Sequence, residues 1–76
     1  MVPVTTRALI QRINRALAKE DEMLRKSSKR AVADLGEYYI VDVSRNAVGR
    51  HGFNHGDLEP LARELGVMSD FEKLED

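Results

Sequence analysis

The chain has 76 residues, of which 42% are hydrophobic and 33% charged; it has no cysteine and a formal net charge of −1. A chain of this size has room for one domain and buries only about 60% of its unfolded surface. Without thiols, no disulfide or thiolate metal site can supplement a thin core, which leaves self-association as the remaining support.

No apolar run approaches the roughly 20 residues of a membrane span, and the N-terminus lacks the apolar stretch of about 7–15 residues that a secretory signal needs. A soluble cytoplasmic protein is the expectation. The charge is unevenly spread. Residues 1–30 carry eight Lys or Arg against three acids, and residues 31–76 carry four against ten, so +5 is followed by −6. Such a split marks either an electrostatic footprint for a polyanion or two complementary halves that neutralise one another.

The strongest periodicity runs from about Arg7 to Lys26. Leu9, Ile10, Ile13, Ala16, Leu17 and Leu24 share one arc when each residue advances by about 100°, which predicts an amphipathic helix. Thr5 or Thr6 is suited to cap its first turn, and Pro3 keeps the preceding segment extended. Glu20 falls near the middle of the apolar arc, where an unpaired charge is costly. Either it pairs with Arg50 or Arg63, or the helix bends or leaves the core before Leu24. Ser27 to Arg30 reads as a fraying end and a basic connector.

Tyr38-Tyr39-Ile40-Val41-Asp42-Val43 is rich in aromatic and β-branched residues and predicts a strand. Ser44-Arg45-Asn46 reads as a turn, with Asn46 suited to a positive φ, and Ala47-Val48 starts the return arm of a hairpin. Gly49 and Gly52 interrupt that arm, and either can mark a bulge. Tyr39, Val41, Val43 and Val48 form the expected inward set. Tyr38 and Tyr39 point to opposite faces, and core or dimer packing is preferred for them over stacking on a nucleobase, because basic residues do not alternate with them.

A second helix follows Gly56. Asp57 is the expected N-cap, Pro60 is tolerated in the first turn, and Leu58, Leu61, Ala62 and Leu65 form its stripe. Gly66 supplies a left-handed C-terminal position with Val67 folding back. Residues 69–76 are expected to be an acidic tail beyond a single domain of residues 1–68, forming a short helical turn or remaining disordered. The predicted fold is α+β in the order αββα. A two-stranded hairpin is marginal alone, so pairing of two copies through its edge into a homodimer is expected.

Arg7-Ala8-Leu9-Ile10, Ile13-Asn14-Arg15, Leu35-Gly36, Tyr38-Tyr39-Ile40-Val41-Asp42, Asn46-Ala47-Val48 and Arg63-Glu64-Leu65-Gly66-Val67 resemble a group of small uncharacterised bacterial proteins. The resemblance spans most of the chain and implies a bacterial origin; it brings no activity, ligand or site residue with it.

Four constellations bear on function. Arg12, Arg15, Lys19 and Lys26 fall within an arc of about 60° opposite the apolar stripe, so they can track phosphates, with Arg7, Arg25, Lys29 and Arg30 at the margins. Asp21 and Glu22 stand four residues before Arg25 and Lys26 and would partly neutralise this face if all lie on one helix. Leu61 to Val67 looks like the first helix and turn of a helix-turn-helix, but the helix after it would be Ser69 to Asp76, with one Lys against four acids, which phosphate repels. His51 and His55, with Asp57 and Glu59 behind them, lie in a Gly-interrupted segment and read as loop histidines rather than zinc ligands. Glu20 has no readable second carboxylate or base beside it, so no catalytic role is assigned.

The expected function is that of a small non-enzymatic interaction or accessory protein of unspecified partner, without cofactor or metal. The alternative is a nucleic-acid-binding protein using Arg12, Arg15, Lys19 and Lys26. Internal complementarity is the preferred reading of the charge split, and it requires Glu59, Glu64 and Asp70 to approach the basic helix. An uncovered basic face would favour the polyanion instead.

Overall fold

The computed structural model describes residues 2–75, so Met1 and Asp76, the outer ends of the expected domain and tail, lie outside the described residues. Nine elements follow one another. They are β1 (Val2–Thr5), α1 (Thr6–Ala18), β2 (Glu22–Lys26), α2 (Val32–Leu35), β3 (Tyr38–Asp42), β4 (Ala47–Phe53), a 3-10 turn (His55–Asp57), α3 (Leu58–Glu64) and β5 (Glu72–Glu75). Helix and strand are mixed, as expected of an α+β protein, but the order is not αββα. Among the described residues no helix is long and apolar enough to cross a membrane.

The largest correction concerns the first helix, which ends at Ala18 rather than near Lys26. Asp21 adopts a positive φ of 55°, and the chain reverses there. The amide of Leu24 then donates to Asn14 Oδ1 at 2.7 Å, tying the outgoing strand to the helix it has just left. Leu24 is buried as predicted, but as a strand residue. Glu20 is exposed in the reversing turn, so its desolvation is avoided by ending the helix, while Arg50 and Arg63 pair with other acids.

β2 pairs antiparallel with β3, and β3 with β4, so the expected hairpin is part of a three-stranded sheet. The third strand removes the instability that a lone hairpin would have, and with it the main physical reason given for edge pairing. Asn46 holds a φ of 53° in the turn, as its position in the sequence suggests. The register shifts where Tyr38 and Tyr39 pair with Phe53 and His51, and again where Ile40 and Val41 pair with Arg50 and Val48. The residues skipped are Gly52 and Gly49, so both glycines mark bulges. At Gly36 a Cβ would stand 2.8 Å from the Cα of Gly52, a separation real side chains do not show, and its φ of 76° also favours glycine.

The inward set is shifted by one residue from the expectation. Tyr38 and Ile40 are buried, Tyr39 and Val41 are half-buried, and Val43 and Val48 are exposed. Because strand side chains alternate, one step exchanges the two faces. Leu24 lies opposite Ile40 and sets the choice, since it brings their shared face onto α1. Asp42, on the same face, sits at the strand end. Its carboxylate accepts from Ser44 Oγ and the Arg45 amide, which hold it below the usual carboxylate range, with the Arg45 guanidinium adding to the effect.

Leu9, Ile13 and Leu17 of α1 meet Leu58, Leu61 and Ala62 of α3 and Leu24, Tyr38 and Ile40 of the sheet in one core, closed by Val4 and Met68. Thr5 caps α1 by accepting from the Ala8 amide. Asp57 stands at the N-cap position of α3, as expected, but its side chain makes no cap bond to that helix; its carboxylate instead accepts from the Asn54 amide in the capping box of the preceding 3-10 turn. At the other end Gly66 is left-handed and the Val67 amide reaches the Ala62 carbonyl, as expected.

Residues 72–75 were expected within an acidic tail. They form β5, which pairs in parallel with β1 from Val2 against Glu72 to Thr5 against Glu75. A strand at this place also removes the second helix that a helix-turn-helix needs. Glu72 explains much of the ordering. Its carboxylate accepts from the Ser69 amide at 2.9 Å and from Arg12 at 3.0 Å, and the Ser69 amide and then Arg12 hold it below the usual carboxyl range.

Candidate polyanion-binding face

The exposed side of α1 follows directly from its core side. Leu9, Ile13 and Leu17 point inward at intervals of four, so the residues two before each, Arg7, Gln11 and Arg15, form an outward row at the same interval. Lys19 caps the helix at the end of that row. At 1.5 Å per residue the row from Arg7 to Lys19 is about 18 Å long.

The four cations read as a polyanion site do not stay together. Arg12, Arg15 and Lys19 line a groove of about 420 Å³ between α1 and the end of α3, whose other lining residues are Ala16, Leu65, Gly66 and Val67. Lys26 lies across α1 from them. It lines a groove of about 580 Å³ between α1 and β2, together with Arg7, Ile10, Gln11, Leu24 and Tyr38, and with Thr5 and Thr6 at one end. The reversal at Asp21 separates it from the rest, because residues that share an arc on one long helix fall on two elements here. Among the described residues no carboxylate lines either groove.

Arg12 is structural. Its guanidinium donates to both carboxylate oxygens of Glu72 at 3.0 Å and to the Val67 carbonyl at 3.2 Å, joining α1 to β5 and to the residues following α3. Among the described residues it is the only one of the eight cations in residues 1–30 that forms an ion pair; Arg7, Arg15, Lys19, Arg25, Lys26, Lys29 and Arg30 form none and are exposed. In residues 31–76 the proportion is reversed. Arg45 pairs with Asp42, Arg50 with Glu64, and Arg63 with Glu59 and Asp70, so that among the described residues Lys73 alone of the four forms no ion pair.

The expected internal complementarity is therefore corrected. Glu59, Glu64 and Asp70 are taken up by Arg63 and Arg50 rather than by α1. One acid from the rear half does reach the basic helix, Glu72, which the sequence reading did not single out. The intrahelical neutralisation expected from Asp21 and Glu22 is also absent, since they and Arg25 and Lys26 lie in a turn and a strand.

A third groove of about 450 Å³ lies between β4 and α3. Its cation is engaged: Arg50 sits over the Phe53 ring at 5.3 Å from the centroid and reaches Glu64 at 3.5 Å. His51 lines this groove, while His55 lies in the 3-10 turn with its Nε2 2.9 Å from Thr6 Oγ1. Among the described residues no three His, Asp or Glu side chains converge as metal ligands would.

The shared exposed face of Arg15 and Lys19 was legible because the helical period holds through Ala18. The apolar floor of the larger groove, Ile10, Leu24 and Tyr38, was not. Its one signal in the sequence is Glu20, a charge inside the apolar arc that marks the helix as ending early. No family model, curated protein or solved structure matches the chain.

Proposed function

We propose that this is a small non-enzymatic interaction protein that takes a polyanion along the outer row of α1, with nucleic acid as the partner. Arg7, Arg15 and Lys19 supply the row, and Lys26 flanks it. Arg12 is withdrawn from the set first read from the sequence, because Glu72 already holds it. The observation that carries the reading is the asymmetry of pairing. Seven of eight cations in the first thirty residues have no ion pair among the described residues, whereas three of four in the remainder have one. Affinity for phosphate depends on charge that is not already compensated, and the acids that make the net charge slightly negative lie mainly in residues 31–76. Cytoplasmic location, bacterial origin and lack of catalysis belong to this proposal as expectations from the sequence.

The test is a titration of labelled single-stranded and duplex DNA over a range of salt concentrations. Binding is expected at low salt, falling as salt rises with a slope that counts the phosphates neutralised. Absence of binding to either form at low salt defeats the proposal.

Self-association is a second reading with its own observation. The sheet face turned away from the core carries Met23, Val41 and Val48 beside Tyr39, with Met23 at 38% and Val48 at 44% exposure, and β4 presents a free edge. A second copy seated on this face would cover both. Sedimentation over a concentration series is expected to show a dimer, and a monomer at the highest concentration removes this reading.

A further inference from the structure

We infer that the groove between α1 and β2 seats unstacked bases, so that the preferred polyanion is single-stranded nucleic acid rather than duplex. The inference rests on the proposed polyanion function and adds a ligand class to it. Three observations carry it. The groove has an apolar floor, made by Ile10, Leu24 and Tyr38, while among the described residues its only charged lining residues are the cations Arg7 and Lys26. Neither cation forms an ion pair among the described residues, so the complementary occupant is anionic at its rim and apolar or aromatic within. Arg7 belongs both to this groove and to the outer row of α1, so a strand whose phosphates follow the row has its bases beside the groove.

A duplex cannot use such a groove, because its bases are stacked inside and only its phosphates are presented. A single strand can place a base against an apolar or aromatic surface, and stacking of this kind tolerates any base. Gln11 at the groove rim supplies polar atoms for base edges without fixing a sequence. The chemistry therefore points to binding that depends on the presence of bases and only weakly on their identity. Acidic peptides share the anionic character but not the regular phosphate-and-base alternation that the row and groove offer together.

The experiment compares four labelled probes of similar charge with the full chain at low salt: a twelve-residue thymidine strand, an abasic strand of the same length, a short duplex and a twelve-residue polyglutamate. The thymidine strand is expected to bind about tenfold more tightly than the abasic strand for a single seated base. In spectra of labelled protein it is expected to shift the signals of Ile10, Leu24 and Tyr38, which the abasic strand leaves in place. Equal affinity for thymidine and abasic strands, or shifts confined to Arg15 and Lys19, overturns the groove while the polyanion function stands. Polyglutamate binding as tightly as thymidine in the groove overturns the assignment to nucleic acid. Failure of every probe to bind defeats the polyanion function itself, and the inference with it.

Discussion

Arg12 and Arg15 stand three residues apart on the same helix, and their surroundings differ in every respect that matters for charge. Arg12 lies between α1, the segment after α3 and β5, where it meets Glu72 and the Val67 carbonyl. Arg15 is exposed and has no ion pair among the described residues. The same contrast separates the two parts of the chain: cations of β4 and α3 are matched with acids nearby, whereas among the described residues those of α1 other than Arg12, of β2 and of the connector after it are not. A cation held by a carboxylate stabilises the fold and has little attraction left for a ligand, so counting basic residues in the sequence overstates the site.

Replacing each arginine in turn tests this contrast at its largest expected effect. Arg12→Ala removes the bond to Val67, which alone corresponds to about 1 kcal/mol, and leaves Glu72 without its guanidinium partner. Thermal denaturation is expected to show a fall of at least about 4–8 °C for a domain of this size. Arg15→Ala is expected to change stability by less than about 0.5 kcal/mol. Equal losses in the two variants would mean that Arg15 is structural too.

Acid separates the two regions in a second way. The carboxyl of Glu72 is held below its ordinary value of 4.5 by the Ser69 amide and then by Arg12. A carboxyl depressed in the folded state contributes stability that is fully present above its unfolded value and is lost as pH falls through the folded one. Amide exchange in β1 and β5 is therefore expected to accelerate below about pH 4.5 before it does in β3, and the difference is expected to shrink in Arg12→Ala. Simultaneous loosening of both sheets would contradict a local role for Glu72.

A smaller effect is expected from the exposed pair Arg50 and Glu64, which are 3.5 Å apart with more than half of each side chain exposed. Glu64→Gln is expected to lower stability by about 0–1 kcal/mol, diminishing further in high salt. Chemical denaturation at two ionic strengths reads it. A loss comparable to that of Arg12→Ala would erase the distinction between exposed and enclosed pairs.

Local signals in the sequence were reliable where one element decides its own structure. The helical pattern from Arg7 to Ala18, the turn at Asn46, the interruptions at Gly49 and Gly52 and the cap at Gly66 and Val67 all follow from periodicity or backbone preference, and all are present. What was not legible depends on partners distant in the chain. Leu24 continues the helical stripe as well as it fills a strand, and only the contact with Asn14 and pairing with β3 decide between them. β1 and β5 have four residues each, too few to show a period, and join the two ends of the chain. The basic face inherited these errors: Arg15 and Lys19 share the exposed side of α1, but Lys26 lies in a second groove across the reversal at Asp21, and Arg12 is held by β5, in the stretch expected to be a tail.

The account depends most on Arg15 and Lys19 being available to a polyanion while contributing little to the fold. The direct measurement is the salt dependence of single-stranded DNA binding by the unaltered protein and by Arg15→Gln combined with Lys19→Gln, with melting temperatures taken alongside. Loss of two phosphate contacts is expected to reduce the slope of log affinity against log salt by about 1.4, with melting temperature nearly unchanged. An unchanged slope would contradict the assignment of this face as the binding surface.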